Sequence, residues 1–122
     1  MGIRVLVVDD NRPFLDAACA LLQRQGLTVL GAATTAAQAR NLVEQLRPDV
    51  VLVDINLGAE SGFELARRLT EDNGHRSTVI LMSTHAETDF ADLIADSPAA
   101  GFVPKSDLSA DAIRLIRDEG GR

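Results

Sequence analysis

Five residues able to do chemistry stand just beyond short apolar runs. Asp9 and Asp10 sit side by side in "VLVVDDNRPF", after the run from Ile3 to Val8. Asp54 follows Val50 to Val53, Ser83 follows Thr78 to Met82, and Lys105 comes soon after Gly101 to Val103. Placing two adjacent carboxylates where a buried strand ends is costly, because desolvation and mutual repulsion both disfavour the charged forms. Taken singly, each residue has an ordinary explanation. Either aspartate could form a turn or cap a helix, Asp54 could close a strand, Ser83 could satisfy a loop amide, and Lys105 could be a solvated surface charge. Whether they act together depends on the elements that carry them.

The apolar, β-branched-rich runs at Ile3 to Val8, Thr28 to Ala32, Val50 to Val53, Thr78 to Met82 and Gly101 to Val103 predict five strands. Helical spacing fills the gaps. Phe14, Ala17, Ala18, Leu21 and Leu22 lie on one face of a first helix, with Pro13 near its start and Gly26 as its stop. A second helix is expected from Ala36 to Leu46, and a third opens at "SGFE", where Ser61 and Glu64 have capping-box spacing, and continues through Ala66 and Leu69. A fourth is expected over Glu87 to Ala95, and a fifth after Ser109 with Ala112, Ile113 and Ile116 on one face. This alternation predicts an α/β fold, a doubly wound five-stranded parallel sheet covered on both faces. In the order 2-1-3-4-5, the ligand crevice lies at the carboxyl ends of the first and third strands. Asp9, Asp10 and Asp54 then converge there. Three carboxylates in one crevice require a counter-charge, and Mg2+ fits best, since it takes few protein ligands and keeps exchangeable waters.

Composition narrows the classes further. The chain of 122 residues is expected to be one domain, 1–122, with 46% apolar and 25% charged residues, as in globular proteins. Its apolar runs are too short to cross a bilayer and its start lacks a signal peptide's layout, so the expectation is a cytoplasmic protein without membrane contact. The net charge of −6, with scattered basic residues, argues against direct contact with nucleic acid. Eleven of the twelve basic residues are Arg, which singles out Lys105 as the only compact, flexible ammonium. Cys19, the single cysteine, is expected to be a small core residue.

The segments "VLVVDDN", "DVVLVDINL", "VILMST" and "GFVPKSDL" resemble, in order and spacing, the signature segments of receiver domains of two-component response regulators. The resemblance covers essentially the whole chain and implies a flavodoxin-like (βα)5 fold. It makes Asp54 the phosphoacceptor, and Asp9 and Asp10 the pair that holds Mg2+, with Asp54 and the backbone carbonyl of Asn56 completing the protein ligands. It makes Ser83 the hydroxyl that bonds the phosphoryl group, Lys105 the cation that pairs with it, and Phe102 the aromatic switch residue that responds to Ser83. The chemistry agrees, because a carboxylate can attack phosphorus to give an acyl phosphate if the equatorial oxygens are neutralised.

The implied function is a phosphorylation-dependent signalling switch rather than an enzyme, although it assists its own phosphorylation and dephosphorylation. The implied donor is a sensor histidine kinase or phosphotransfer protein. Output would pass through the face of helix 4, strand 5 and helix 5 to a downstream protein, to an output domain not in this chain, or into a phosphorylation-dependent dimer. Neither His75 nor His85 has a phosphorelay-helix context. The chain departs from the common pattern at Ser106, where a proline often follows the lysine, and in "NLGAESG", which lacks the frequent proline. Thr84 replaces the usual Ala or Gly and should crowd the approach to phosphorus. The resemblance puts Asn56 and His85 at the two variable positions that flank that approach in the family, where they are expected to tune phosphoryl lifetime, with a plain exposed histidine the alternative at His85. Two rival readings are a haloacid-dehalogenase-like phosphatase, whose second aspartate is replaced here by Asn56, and a docking module that is never phosphorylated.

Overall fold

The computed structural model describes residues 2–73, 77–84 and 87–120. Five parallel strands form the main sheet: β1 (Arg4–Val8), β2 (Thr28–Ala33), β3 (Val50–Asp54), β6 (Thr78–Ser83) and β7 (Gly101–Pro104), in the order β2-β1-β3-β6-β7. Numbering only these strands, this is the expected order 2-1-3-4-5. The helices are α1 (Arg12–Arg24), α2 (Ala36–Leu46), α3 (Gly62–Asn73), α4 (Ala91–Asp96) and α5 (Ala110–Gly120). An unforeseen two-stranded hairpin, β4 (Asn56–Leu57) and β5 (Glu60–Ser61), follows β3.

Period-two alternation divides the core between the two faces of the sheet. Val5 and Val7 of β1 pack with Leu15, Ala18 and Leu22 of α1 and Ile113 of α5. Leu6 and Val8 face the other way, onto Ala39 and Val43 of α2 and Leu65, Ala66 and Leu69 of α3. All of β3 is buried, as a central parallel strand should be. Cys19 is half-buried against the α1 side of this core, and burial, with a smaller contribution from Asp16, pushes its thiol pKa up. That suits the core role expected of it.

Helix ends follow local chemistry. Asn11 caps α1 by accepting the Phe14 N–H at 3.2 Å, and Thr35 caps α2 by accepting the Gln38 N–H at 3.2 Å. The Ser61 hydroxyl accepts the Glu64 N–H at 3.3 Å, but the Glu64 carboxylate pairs with Arg67 and Arg68, which lie a turn further along its own helix. The fourth helical stretch is divided into a 3-10 turn, Glu87–Phe90, and the short α4. Phe90 leaves helical geometry at φ −131°, and its ring packs on Phe63 of α3 with 6.3 Å between centroids.

Candidate functional site

The strands run slightly further than their apolar runs suggest, so Asp54 and Ser83 are the last residues of β3 and β6 rather than the first residues of loops. The cause is backbone pairing that continues past the apolar side chains: Asp9 N–H reaches Ala33 O at 3.0 Å, and Ile55 N–H reaches Met82 O at 3.0 Å. The register aligns Val8 with Val53, Asp54 with Met82, and Ser83 with Pro104. Asp9, Asp54, Ser83 and Lys105 therefore share one edge of the sheet.

Asp9, Asp10 and Asp54 each offer a carboxylate oxygen, and these oxygens lie within 4.8 Å of one another. Asp9 is fully buried, Asp54 is 6% exposed and Asp10 faces solvent. One Asp9 oxygen, Oδ1, accepts the Asn11 N–H at 2.9 Å; the other, Oδ2, lies 2.6 Å from Lys105 Nζ in an ion pair and has no hydrogen-bond partner among the described residues. The Lys105 ammonium also reaches Asp54 Oδ2 at 3.3 Å, while Asp54 Oδ1 accepts the Asn56 N–H at 3.2 Å. Lys105 thus pairs with two of the three clustered carboxylates, leaving the cluster with net negative charge among the described residues. Burial, and secondarily the charge of Asp9, pushes the Asp54 pKa up to about 6, against the lowering effects of the Asn56 N–H and Lys105. The donor set is all hard oxygen with excess negative charge, which fits a small divalent cation. The cluster could hold a metal ion.

The β4–β5 hairpin walls one side of this crevice. Gly58 turns it with φ +61°, and a Cβ there would lie 3.2 Å from Asp10 Oδ2. A Cβ on Gly62 would lie only 2.1 Å from the Asp54 carbonyl oxygen, so the chain can pass beneath the end of β3 only as glycine. Glu60 ties the hairpin to the neighbouring helix by accepting the N–H of Ala36, the first residue of α2, at 3.0 Å.

Ser83 is buried, with the same strand parity as Leu81. Phe102 pairs with Leu81 and lies in the α2 and α3 side of the core, against which Phe90 and Ile94 also pack. Thr84 is exposed immediately beyond Ser83, and Asn56 is exposed in β4. His75 and His85 lie outside the described residues. The structure thus gathers Asp9, Asp10, Asp54 and Lys105 tightly, with Ser83 ending the adjacent strand. Sequence reasoning passed over Gly58, Gly62 and Glu60, although glycines four and eight places after Asp54 were a visible sign of backbone crowding. It also read Phe14 only as part of an apolar stripe, whereas its ring centroid lies 4.3 Å from Lys105 Nζ.

A doubly wound parallel sheet with this acidic crevice at its switch point defines a receiver-type signalling domain. The chain belongs to the response regulator receiver domain family, whose defining pattern matches residues 5–116. It is 33% identical over 116 residues to the uncharacterized transcriptional regulatory protein YvfU of Bacillus subtilis, an alignment covering 92% of this chain and 58% of that protein. It is 32% identical over 117 residues to the response regulator GacA of Pseudomonas viridiflava, covering 94% of this chain and 54% of GacA. The chain spans about half the length of these curated relatives. Among solved structures, the receiver domain of NarL from Mycobacterium tuberculosis superposes with a TM-score of 0.83 at 26% identity, covering 98% of this chain and 97% of that one. A LuxR-family response regulator from Aurantimonas sp. SI85-9A1 gives a TM-score of 0.85 at 25% identity, covering 99% and 86% of the two chains.

Proposed function

We propose that the protein accepts a phosphoryl group on Asp54 from the phosphohistidine of a sensor histidine kinase or phosphotransfer protein, and that Mg2+ is its cofactor. The observation that carries this reading is the meeting of Asp9, Asp10 and Asp54 within 4.8 Å, with the Lys105 ammonium 3.3 Å from the Asp54 carboxylate. An Asp54 oxygen forms the new bond to phosphorus as the P–N bond breaks, and that bond's electron pair returns to the imidazole. With its pKa near 6, Asp54 is mostly ionised at neutral pH and so is in its nucleophilic form. Asp9, Asp10, Asp54 and the Asn56 carbonyl would hold Mg2+, which when bound neutralises phosphoryl oxygens. Lys105 supplies the second positive charge, and the Ser83 hydroxyl donates to a phosphoryl oxygen.

Phosphorylation shifts an existing equilibrium through Ser83 and Phe102 toward the face made by α4, β7 and α5. Two large apolar side chains are exposed there, Leu93 of α4 at 54% and Leu115 of α5 at 60%. This surface suits a downstream protein, an output domain or a second copy; several relatives are named DNA-binding response regulators. No described helix is long and apolar enough to cross a membrane. We further propose that this receiver is cytoplasmic and acts as a switch rather than an enzyme; its net charge of −6 and scattered basic residues support a reading without nucleic-acid contact of its own. Incubation with acetyl phosphate and Mg2+ tests the reading: intact mass should show one added phosphoryl group, and Asp54→Ala should show none. Equal labelling of that variant would overturn the assignment.

A further inference from the structure

We propose that Phe14 is a positioning residue for Lys105: the face of its ring holds the ammonium over Asp9 and Asp54 and keeps water from it. The Lys105 Nζ lies 4.3 Å from the Phe14 ring centroid, 2.6 Å from Asp9 Oδ2 and 3.3 Å from Asp54 Oδ2, and the lysine side chain is only 10% exposed. The ammonium therefore sits between a π face and two carboxylates, and the ring quadrupole attracts it most strongly where water is excluded.

The contacts close on themselves. Asp9 Oδ1 accepts the Asn11 N–H, Asn11 Oδ1 accepts the Phe14 N–H, Phe14 covers Lys105, and Lys105 returns to Asp9 Oδ2. The start of α1 is thereby fixed relative to the acidic pair, and the ring is fixed with it. Lysine has a flexible four-carbon stem, so a compact charge on it is placed only as well as its surroundings hold it. Phe14 also packs against the α1 side of the core, so an apolar filling role must be separated from a role toward the cation.

Fluorination makes that separation, because each added fluorine weakens the ring's negative face while changing its size little. The proposal rests on Asp54 as phosphoacceptor, and the test is arranged so that the two can fail independently. Position 14 is filled in turn with 4-fluoro-, 3,5-difluoro- and 3,4,5-trifluorophenylalanine, and phosphorylation by acetyl phosphate is timed at saturating Mg2+. The rate should fall stepwise, by roughly three- to tenfold for the trifluoro ring, and the series should be flat in a Lys105→Ala background. Equal rates across the series, or a stepwise fall that persists without Lys105, would overturn the proposal. A second readout needs neither metal nor phosphate. Lys105 is the only lysine, so 13C-lysine labelling gives one ε-methylene signal, which the ring current should move upfield and Phe14→Leu should return to the random-coil position. An unshifted signal in the metal-free parent would also overturn it. If the parent were never phosphorylated, the phosphoacceptor reading would fail, and the lysine signal alone would decide what Phe14 does.

Discussion

In its proposed role, Asp54 shows what the crevice asks of a single residue: it must be buried enough to exclude water yet ionised enough to attack. Its folded pKa of about 6 exceeds the ordinary 3.8, so the folded state binds more protons than the unfolded chain between those values. Its contribution to stability is therefore complete below about pH 4 and is lost as pH rises through 6. Without metal, Asp54→Asn should be more stable than the parent at pH 7.5, by on the order of 1 to 2 kcal/mol, and should show a flatter stability profile between pH 4 and 6. Urea melts in chelator across that range measure both, and a less stable variant at pH 7.5 would contradict the balance of charges described. Thr84 is proposed to act on the opposite step, loss of the phosphoryl group. Its exposed, β-branched side chain directly follows Ser83, where under that proposal it would crowd a hydrolytic water. Thr84→Gly should lose its phosphoryl group roughly two- to tenfold faster, about 0.4 to 1.4 kcal/mol of barrier. Slower loss would mean that the hydroxyl assists the water.

Among the elements, the β4–β5 hairpin and the start of α3 set the geometry around Asp54. Gly62→Ala would drive a methyl into the Asp54 carbonyl, and since backbone cannot yield as a flexible side chain does, β3 and the hairpin must separate. The expected cost is about 2 to 4 kcal/mol of stability, with a loss of Mg2+ affinity at temperatures where the variant is still folded; denaturant melts and metal titration followed by NMR measure the two. The outer elements are where the proposed signal would leave the site. Phe102 pairs with Leu81, two residues before Ser83, and shares a core with Phe90 and Ile94, which flank and form α4, so the proposed coupling from Ser83 to that helix would run through packed side chains. Beryllofluoride, a phosphoryl mimic, should shift amides from Glu87 to Ala95 and from Phe102 to Ile116. Shifts confined to the loops around Asp54 would show that this coupling is absent.

Across the whole molecule, folding gathers negative charge that the unfolded chain keeps apart, and cation binding should relieve that repulsion. Free Mg2+ at ten times its Kd should stabilise the fold by about 1.4 kcal/mol, raising Tm by roughly 5 °C. Asp10→Ala should lose most of this rise. An unchanged melting curve in the parent at millimolar Mg2+ would remove the case for a metal site.

By itself, the sequence determined the alternation of strands and helices, because the two hydrophobic periods are local and strong. It also determined which residues gather near one edge of the sheet, since in a parallel sheet every strand points the same way. Asp9, Asp10, Asp54, Ser83 and Lys105 were legible for that reason. The tertiary structure alone decided three further things. It set the strand ends, because backbone pairing between strands outlasts the apolar side chains that mark them, so Asp54 and Ser83 fall within the sheet. It set the path after Asp54, where a hairpin held by Glu60 and relieved by Gly58 and Gly62 depends on contacts with α2 and the end of β3. It also brought Phe14 onto Lys105, two residues 91 positions apart whose meeting no local pattern encodes, because the start of α1 and the turn after β7 meet only when the sheet assembles.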